Sequence, residues 1–197
     1  MDAAAGFSDH TGWAIAVILA GPVEAPRLLW RGRLALLDDA LPRQVFHTAA
    51  ETPVGDPPGL IALVRAGALE RSRLAIEGLI ATTVEHGHEL TTVAVAGERR
   101  PLPEELDRVL RSHALLHAAE GALFRAALAD SAADLGLRVV RVSRDTLGVQ
   151  VVAATALEEA TVDAHLKEIG WRAGPPWQID HRTAALAAWL ALAGGSS

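Results

Sequence analysis

The fold is decided by an N-terminal stretch that reads AAAGFSDHTGW over residues 3–13. It places one carboxylate, Asp9, where one apolar segment ends and the next one begins. Burying an unpaired carboxylate costs free energy, so we expect Asp9 at the end of a strand, where solvent, a metal ion or a backbone amide can reach it. The stretch therefore predicts two consecutive strands with a candidate site at the end of the first.

The composition predicts one soluble domain. The chain has 197 residues, of which 50% are hydrophobic, and no charge run divides it, so we expect a single domain over residues 1–193 with a flexible tail at 194–197. The absence of cysteine excludes disulfides and thiolate metal sites and fits a cytoplasmic location. The apolar run over residues 12–20 is too short to cross a membrane. A net charge of −6 argues against a general nucleic-acid coat but leaves room for a local basic patch.

The order of apolar patterns predicts an α/β fold. Three apolar or mixed segments near the N-terminus predict an antiparallel meander, and two later segments predict parallel strands because helices alternate with them. The predicted strands cover residues 3–7, 12–20, 27–37, 90–97 and 137–142, and the predicted helices cover residues 59–86, 101–134, 143–156, 158–169 and 180–192. A loop rich in proline is expected over residues 41–58. We expect a mixed five-stranded sheet flanked by helices.

Three short motifs carry a resemblance to a known superfamily. The sequence SDH (residues 8–10) precedes TGWAIAVI (residues 11–18), VAVAGE (residues 93–98) ends in an acid, and HRTAALA (residues 181–187) opens the last predicted helix. This arrangement resembles the ribonuclease-H-like superfamily, and within it the RuvC-type Holliday-junction resolvases. In that branch the first strand ends in Asp-Pro-Gly, followed shortly by Thr-Gly-aromatic and an apolar strand, the fourth strand runs into a Glu, and the final helix reads roughly His-x-x-Asp-Ala-Leu-Ala.

The resemblance implies a divalent-metal-dependent nuclease or resolvase-like phosphodiester hydrolase. Its implied metal ligands are Asp9, Glu98 and Asp180, which would hold Mg²⁺ or Mn²⁺, and His181 would orient water or a phosphate. The implied partner is branched or structured nucleic acid, and the chain would act as a homodimer on a two-fold substrate.

The chain departs from the family pattern at two places. The position that matches the last acid of the branch is Ala184, so Asp180, about one helical turn earlier, would have to replace it. The lysine often found after the fifth strand is not evident, and Asp145 stands in that region. The alternative is therefore a non-catalytic ribonuclease-H-like binding or assembly module with a degenerate acidic site, in which Asp9 belongs to a turn and Asp180 caps the last helix.

A second constellation consists of His113, His117 and Glu120. Spacings of four and seven residues place all three on one stripe of a helix. Two histidines at positions i and i+4 can bind a transition metal, with a carboxylate as a further ligand or as a partner of an imidazole. The alternative is a histidine pair that packs at a contact and is hydrogen-bonded to Glu120.

Overall fold

The chain folds around a central strand, β1 (Asp2–His10). Two strands follow it in an antiparallel meander, β2 (Trp13–Ala20) and β3 (Arg27–Ala35), while β4 (Glu89–Ala96) and β5 (Arg138–Val142) run parallel to β1 on its other side. The resulting order is β3-β2-β1-β4-β5, in a computed structural model that describes residues 2–51, 55–97 and 101–194. The predicted mixed five-stranded sheet is confirmed. Two predicted segments, Glu98 and the tail at residues 195–197, lie outside the described residues.

The first strand is longer than its apolar residues indicated. β1 continues through Asp9 and His10, which pair with Ala14 and Trp13 of β2. The turn between the strands needs Gly12, whose φ of 82° lies in the left-handed region that favours glycine. Asp9 is therefore a member of the sheet, as its last residue but one on β1.

The helices cover both faces of the sheet. Their ranges are α1 (Val45–Glu51), α2 (Pro57–Glu85), α3 (Leu106–Leu110), α4 (His113–Asp134), α5 (Leu147–Thr155), α6 (Glu159–Ala173) and α7 (Ile179–Ala193). Two predictions were wrong here: α1 lies in the expected loop, and the helix expected over residues 101–134 is broken before Ser112, which has extended backbone angles. None of the described helices combines the length and apolar character needed to cross a membrane.

The alternation of side chains along β1 separates two hydrophobic layers. Ala3, Ala5 and Phe7 join the core with helices α1 to α4, whereas Ala4 joins the core with helices α5 to α7. The same alternation sends the side chains of Ser8 and Asp9 to opposite faces. This separation decides which helix each polar side chain at the end of β1 can meet.

The backbone of α7 lies directly against β1 at Gly6. A Cβ atom added to Gly6 would overlap the carbonyl oxygen of Ala184 and the amide nitrogen of Ala188. The residues of α7 that face this layer are small and fully buried: Ala184, Ala185, Ala187, Ala188 and Ala191. Ala184, at the position of the branch's last acid, is therefore part of a close backbone contact between α7 and β1.

We expect Gly6→Ala to reduce the free energy of unfolding by more than about 3 kcal/mol, because backbone atoms of α7 cannot move aside as a flexible side chain would. The matched control is Gly78→Ala in the middle of α2, where an added Cβ meets nothing. That control should stabilise the protein by about 0.5–1 kcal/mol through helix propensity. Urea unfolding of both variants tests this, and equal stability of Gly6→Ala and wild type would contradict the described packing.

Candidate functional site

A cleft of about 410 Å³ opens at the carboxyl end of β1. Its polar lining comes from four parts of the chain: Asp9, His10, Thr11, His117, Arg125 and Arg144. The remaining lining residues belong to α4 and are small: Ala114, Ala118 and Gly121. The cleft therefore combines charged groups with a helix surface that another molecule can approach closely.

The carboxylate of Asp9 is held between two arginines. Its side chain is only 3% exposed, with Oδ2 2.9 Å from Nη1 of Arg125 and Oδ1 3.2 Å from Nη2 of Arg144. Nη2 of Arg144 also donates to the backbone carbonyl of Asp9 at 2.7 Å. A buried carboxylate is tolerable only when it is paired and hydrogen-bonded, and the two guanidinium groups meet that requirement.

Two glycines make room for Arg125. A Cβ added to Gly121, one turn earlier on α4, would lie 2.6 Å from Nη1 of Arg125, and one added to Gly97, after β4, would lie 2.8 Å from its Nε. Such contacts are closer than real Cβ atoms adopt, so a larger residue at either position would displace the guanidinium. The side chain of Arg125 can therefore reach Asp9 only because glycines stand on α4 and after β4.

Arg144 binds the strand ends from the other side. It opens a short 3₁₀ turn after β5, and its Nε donates to the carbonyl of Ala96 at the end of β4 over 3.4 Å. Together with its bonds to Asp9, this links β1, β4 and β5 at one edge. Arg144 is therefore a cation just after β5, immediately before Asp145, in the region where no lysine is evident in the sequence. Sequence reasoning missed Arg144 and Arg125, since nothing local marks an arginine as the partner of a distant acid.

Asp180 has different partners on the other face. Its Oδ1 accepts a hydrogen bond from Ser8 Oγ at 2.9 Å and lies 3.1 Å from Nε2 of His10. The ring of His10 is stacked on Trp13 with centroids 3.9 Å apart. Because Ser8 and Asp9 are consecutive on β1, Asp180 contacts the face opposite to that of Asp9.

The described arrangement does not fit a Mg²⁺ or Mn²⁺ ion between Asp9 and Asp180. Both oxygens of Asp9 accept guanidinium donors, and two positive charges oppose the approach of a divalent cation. Asp180 does not share these partners. Glu98, the third predicted ligand, lies outside the described residues, so the three-carboxylate site stays a prediction.

His181 lies in the N-terminal cap of α7 and not in the lining of the cleft. Its Nδ1 accepts a hydrogen bond from the backbone amide of Gln178 at 3.3 Å. Burial lowers the pKa of the His181 imidazole, the positive charge of Arg31 lowers it further, and Asp180 opposes both. A neutral ring is what the cap needs, because a protonated Nδ1 cannot accept a hydrogen bond.

The histidine stripe gains a third member that the sequence did not reveal. His47 of α1 meets His113 and His117 of α4, with ring centroids 5.6 Å and 4.6 Å away. The rings of His113 and His117 are 4.5 Å apart, so the predicted i, i+4 pair is formed. A ring nitrogen from each of the three histidines lies within 4.8 Å of the others.

Glu120, which is buried on α4, holds His47 in this histidine cluster. Its Oε1 accepts hydrogen bonds from the backbone amides of Phe46 at 2.8 Å and His47 at 3.3 Å, and lies 3.4 Å from Nδ1 of His47. Burial raises the pKa of the Glu120 carboxyl, and these hydrogen bonds partly offset the rise. This contact stabilises the start of α1, because the carboxylate of Glu120 on α4 accepts hydrogen bonds from backbone amides in the first turn of α1. No local pattern in the sequence indicates this long-range partner.

Comparison with known proteins gives a fold relationship. No protein-family model and no curated protein matches the chain. The structure of Thermus thermophilus RuvC in complex with Holliday junction substrate is similar, with 17% identity, a TM-score of 0.51 and coverage of 96% of this chain and 92% of that chain. A structure of Thermus thermophilus RuvC alone gives 16% identity, a TM-score of 0.51 and coverage of 95% and 92%. The predicted ribonuclease-H-like, RuvC-like fold is confirmed.

The cap of α7 predicts a pH dependence of stability. The unfolded His181 takes up a proton as the pH falls through the ordinary histidine pKa of about 6.5, whereas the folded residue resists protonation because burial lowers its pKa. Stability should therefore fall between pH 7.5 and 5.5, by less than the ~1.4 kcal/mol per pH unit of one fully coupled proton.

The matched variant is His181→Gln, whose side chain can accept from the same amide without titrating. Urea unfolding at both pH values should show a smaller loss for this variant than for wild type. An identical pH dependence in the two proteins would show that the ring of His181 does not carry the effect.

Proposed function

We propose that this chain is a ribonuclease-H-like module that binds structured nucleic acid, such as branched DNA, in the cleft at the end of β1 without cutting it. Arg125 and Arg144 are the proposed phosphate contacts. The observation that carries this proposal is that the guanidinium groups of both arginines form ion pairs with the carboxylate of Asp9.

The charges of the cleft favour an anion. Two guanidinium groups face one carboxylate, which leaves a net positive charge from these three side chains alone. The side chains of Arg144 and Arg125 are 38% and 21% exposed, so both remain accessible from the cleft. Each guanidinium has five N–H donors and uses only some of them on Asp9, and the remaining fork suits the paired oxygens of a phosphate.

The distribution of charge over the chain supports a local contact. A net charge of −6 disfavours binding over a broad surface, so affinity has to come from a few placed cations. The small residues of α4 that line the cleft, Ala114, Ala118 and Gly121, let a sugar-phosphate backbone approach the helix closely. The positive charge at this edge is fixed by guanidinium groups and does not require a bound metal ion.

The position of the acids supports binding without hydrolysis. Asp9 and Asp180 have separate partners on opposite faces of β1, and Ala184 is buried against Gly6. Two-metal hydrolysis needs carboxylates that converge on ions about 3.5–4 Å apart. The described residues offer guanidinium groups where that chemistry needs metal ions.

We expect Arg144→Gln and Arg125→Gln each to weaken binding of a four-way DNA junction about tenfold, and each to lower the slope of log affinity against log salt concentration by about one. Fluorescence anisotropy in EDTA, with a duplex of the same arms for comparison, measures both quantities. The matched control is Arg73→Gln, which removes the same charge from the Glu77 ion pair on α2 and should bind as wild type.

Asp9→Asn provides a second test of the same phosphate contacts. Removing the carboxylate removes the negative charge in the cleft and frees guanidinium donors, so binding in EDTA should be retained or tightened. Thermal melts of all variants verify folding. Folded Arg144→Gln that binds the junction as tightly as wild type would contradict the phosphate contact.

The second candidate is the metal-dependent nuclease that the sequence predicts. Its support is the likeness over 96% of the chain to a resolvase solved with a Holliday junction. For this function Arg125 and Arg144 would have to release Asp9, and Glu98 would have to complete the ligand set with Asp180. The predicted homodimer also belongs to this candidate, and light scattering of the protein with and without a junction tests it.

We expect no cleavage of a four-way junction by wild type in either Mg²⁺ or Mn²⁺, because both carboxylate oxygens of Asp9 are paired with arginines and are not free to bind a metal ion. Denaturing gels of end-labelled junctions over a day of incubation provide the measurement. Metal-dependent cleavage by wild type that Asp9→Asn abolishes would establish the nuclease instead.

A further inference from the structure

We propose that His47, His113 and His117 form a binding site for one Zn²⁺ ion, with Glu120 positioning His47. The site goes beyond the proposed nucleic-acid contact, since it uses none of Asp9, Arg125 or Arg144. It combines residues from two helices that the fold brings together, α1 and α4.

The spacing of the three rings is close to what zinc needs. Zinc–nitrogen bonds of about 2.0–2.1 Å in a tetrahedral site place ligand nitrogens roughly 3.3 Å apart. A nitrogen from each of the three rings already lies within 4.8 Å of the others, so each nitrogen–nitrogen distance has to shorten by at most about 1.5 Å. His113 and His117 are exposed on the first turns of α4, so their side chains can turn toward a shared ion without entering the core.

His47 has the arrangement of a positioned ligand. Its side chain is largely buried, with the residue 9% exposed, and its Nδ1 faces Oε1 of Glu120 at 3.4 Å. Its Nε2 is buried and has no hydrogen-bond partner among the described residues. A carboxylate on one ring nitrogen fixes the tautomer and directs the other nitrogen to a metal, as in carboxylate–histidine–zinc arrangements. This unpartnered buried nitrogen, beside two further imidazoles, is the donor atom that a zinc ion would take.

Other contacts do not account for the cluster. Three imidazoles in mutual contact gain no hydrogen bond from one another in the described structure, and protonation of more than one would create repulsion between like charges. The group whose ligand atoms lie within 4.8 Å of one another contains the three histidines and not Glu120. Glu120 is 2% exposed, its Oε1 faces amides of α1 and Nδ1 of His47, and its Oε2 is buried without a hydrogen-bond partner among the described residues, so we assign it as an outer partner of His47. Three histidines therefore leave one coordination position for water or a ligand oxygen.

The test uses the full chain with any affinity tag removed and metal stripped by a chelator. Calorimetric titration with Zn²⁺ alone, without nucleic acid, should show one equivalent bound. His113→Ala and His117→Ala, both exposed positions, should weaken binding at least tenfold, and Glu120→Gln should weaken it about tenfold by loosening His47. The matched control is His86→Ala at the exposed end of α2, which should bind as wild type.

Substitution with Co²⁺ adds a readout of geometry. The visible absorption of tetrahedral Co²⁺ should appear with wild type and disappear with His117→Ala, which separates a built site from loose surface binding. Absence of zinc binding by wild type, or equal losses in His86→Ala and His113→Ala, would overturn the proposal. Because no nucleic acid is present, these outcomes do not depend on the proposed function of the cleft.

Discussion

The contact between the backbone of α7 and Gly6 of the central strand limits where this fold can place acidic side chains. Close packing requires glycine on β1 and alanine on the facing side of α7, and Ala184 lies fully buried within that contact. A carboxylate at position 184 would be buried in an alanine layer without a cation. The first turn of α7 is where this helix carries an acid, and Asp180 there is partly exposed and contacts Ser8 and His10.

On the opposite face of β1, the buried charge that must be neutralised is that of Asp9. Asp9 is the acid that β1 directs toward α4, and its burial requires a positive partner. In a metal-dependent nuclease that partner is a divalent ion, whereas here it is a pair of guanidinium groups. Gly97 and Gly121 both leave the space that the side chain of Arg125 occupies. The ion pair between Arg125 and Asp9 therefore depends on these two glycines as well as on its own residues. The described residues therefore form a positive edge from side chains alone.

Sequence patterns predicted the sheet better than the site. Apolar runs and turn glycines are local, and they were sufficient for the antiparallel meander, for the two parallel strands that follow it, and for the position of Asp9 near the end of β1. Ion-pair partners depend on how distant elements approach, and Arg125, Arg144 and His47 carry no local signal for their roles. The nearest available signal was Gly121, which lies four residues before Arg125 on the stripe that begins with His113. The short helix α1 was missed because its first amides are satisfied by Glu120 from another helix.

One row of α4 connects the histidine cluster to the cleft. His113, His117, Gly121 and Arg125 follow one another at intervals of four residues, so they form a single stripe that leads to Asp9. His117 belongs to both places, since it meets His47 and also lines the cleft. A divalent ion held by His117 would add its charge to an edge that two arginines already make positive. Binding of an anion in the cleft and of a cation at the histidines would then favour each other, because coupling between two sites is reciprocal.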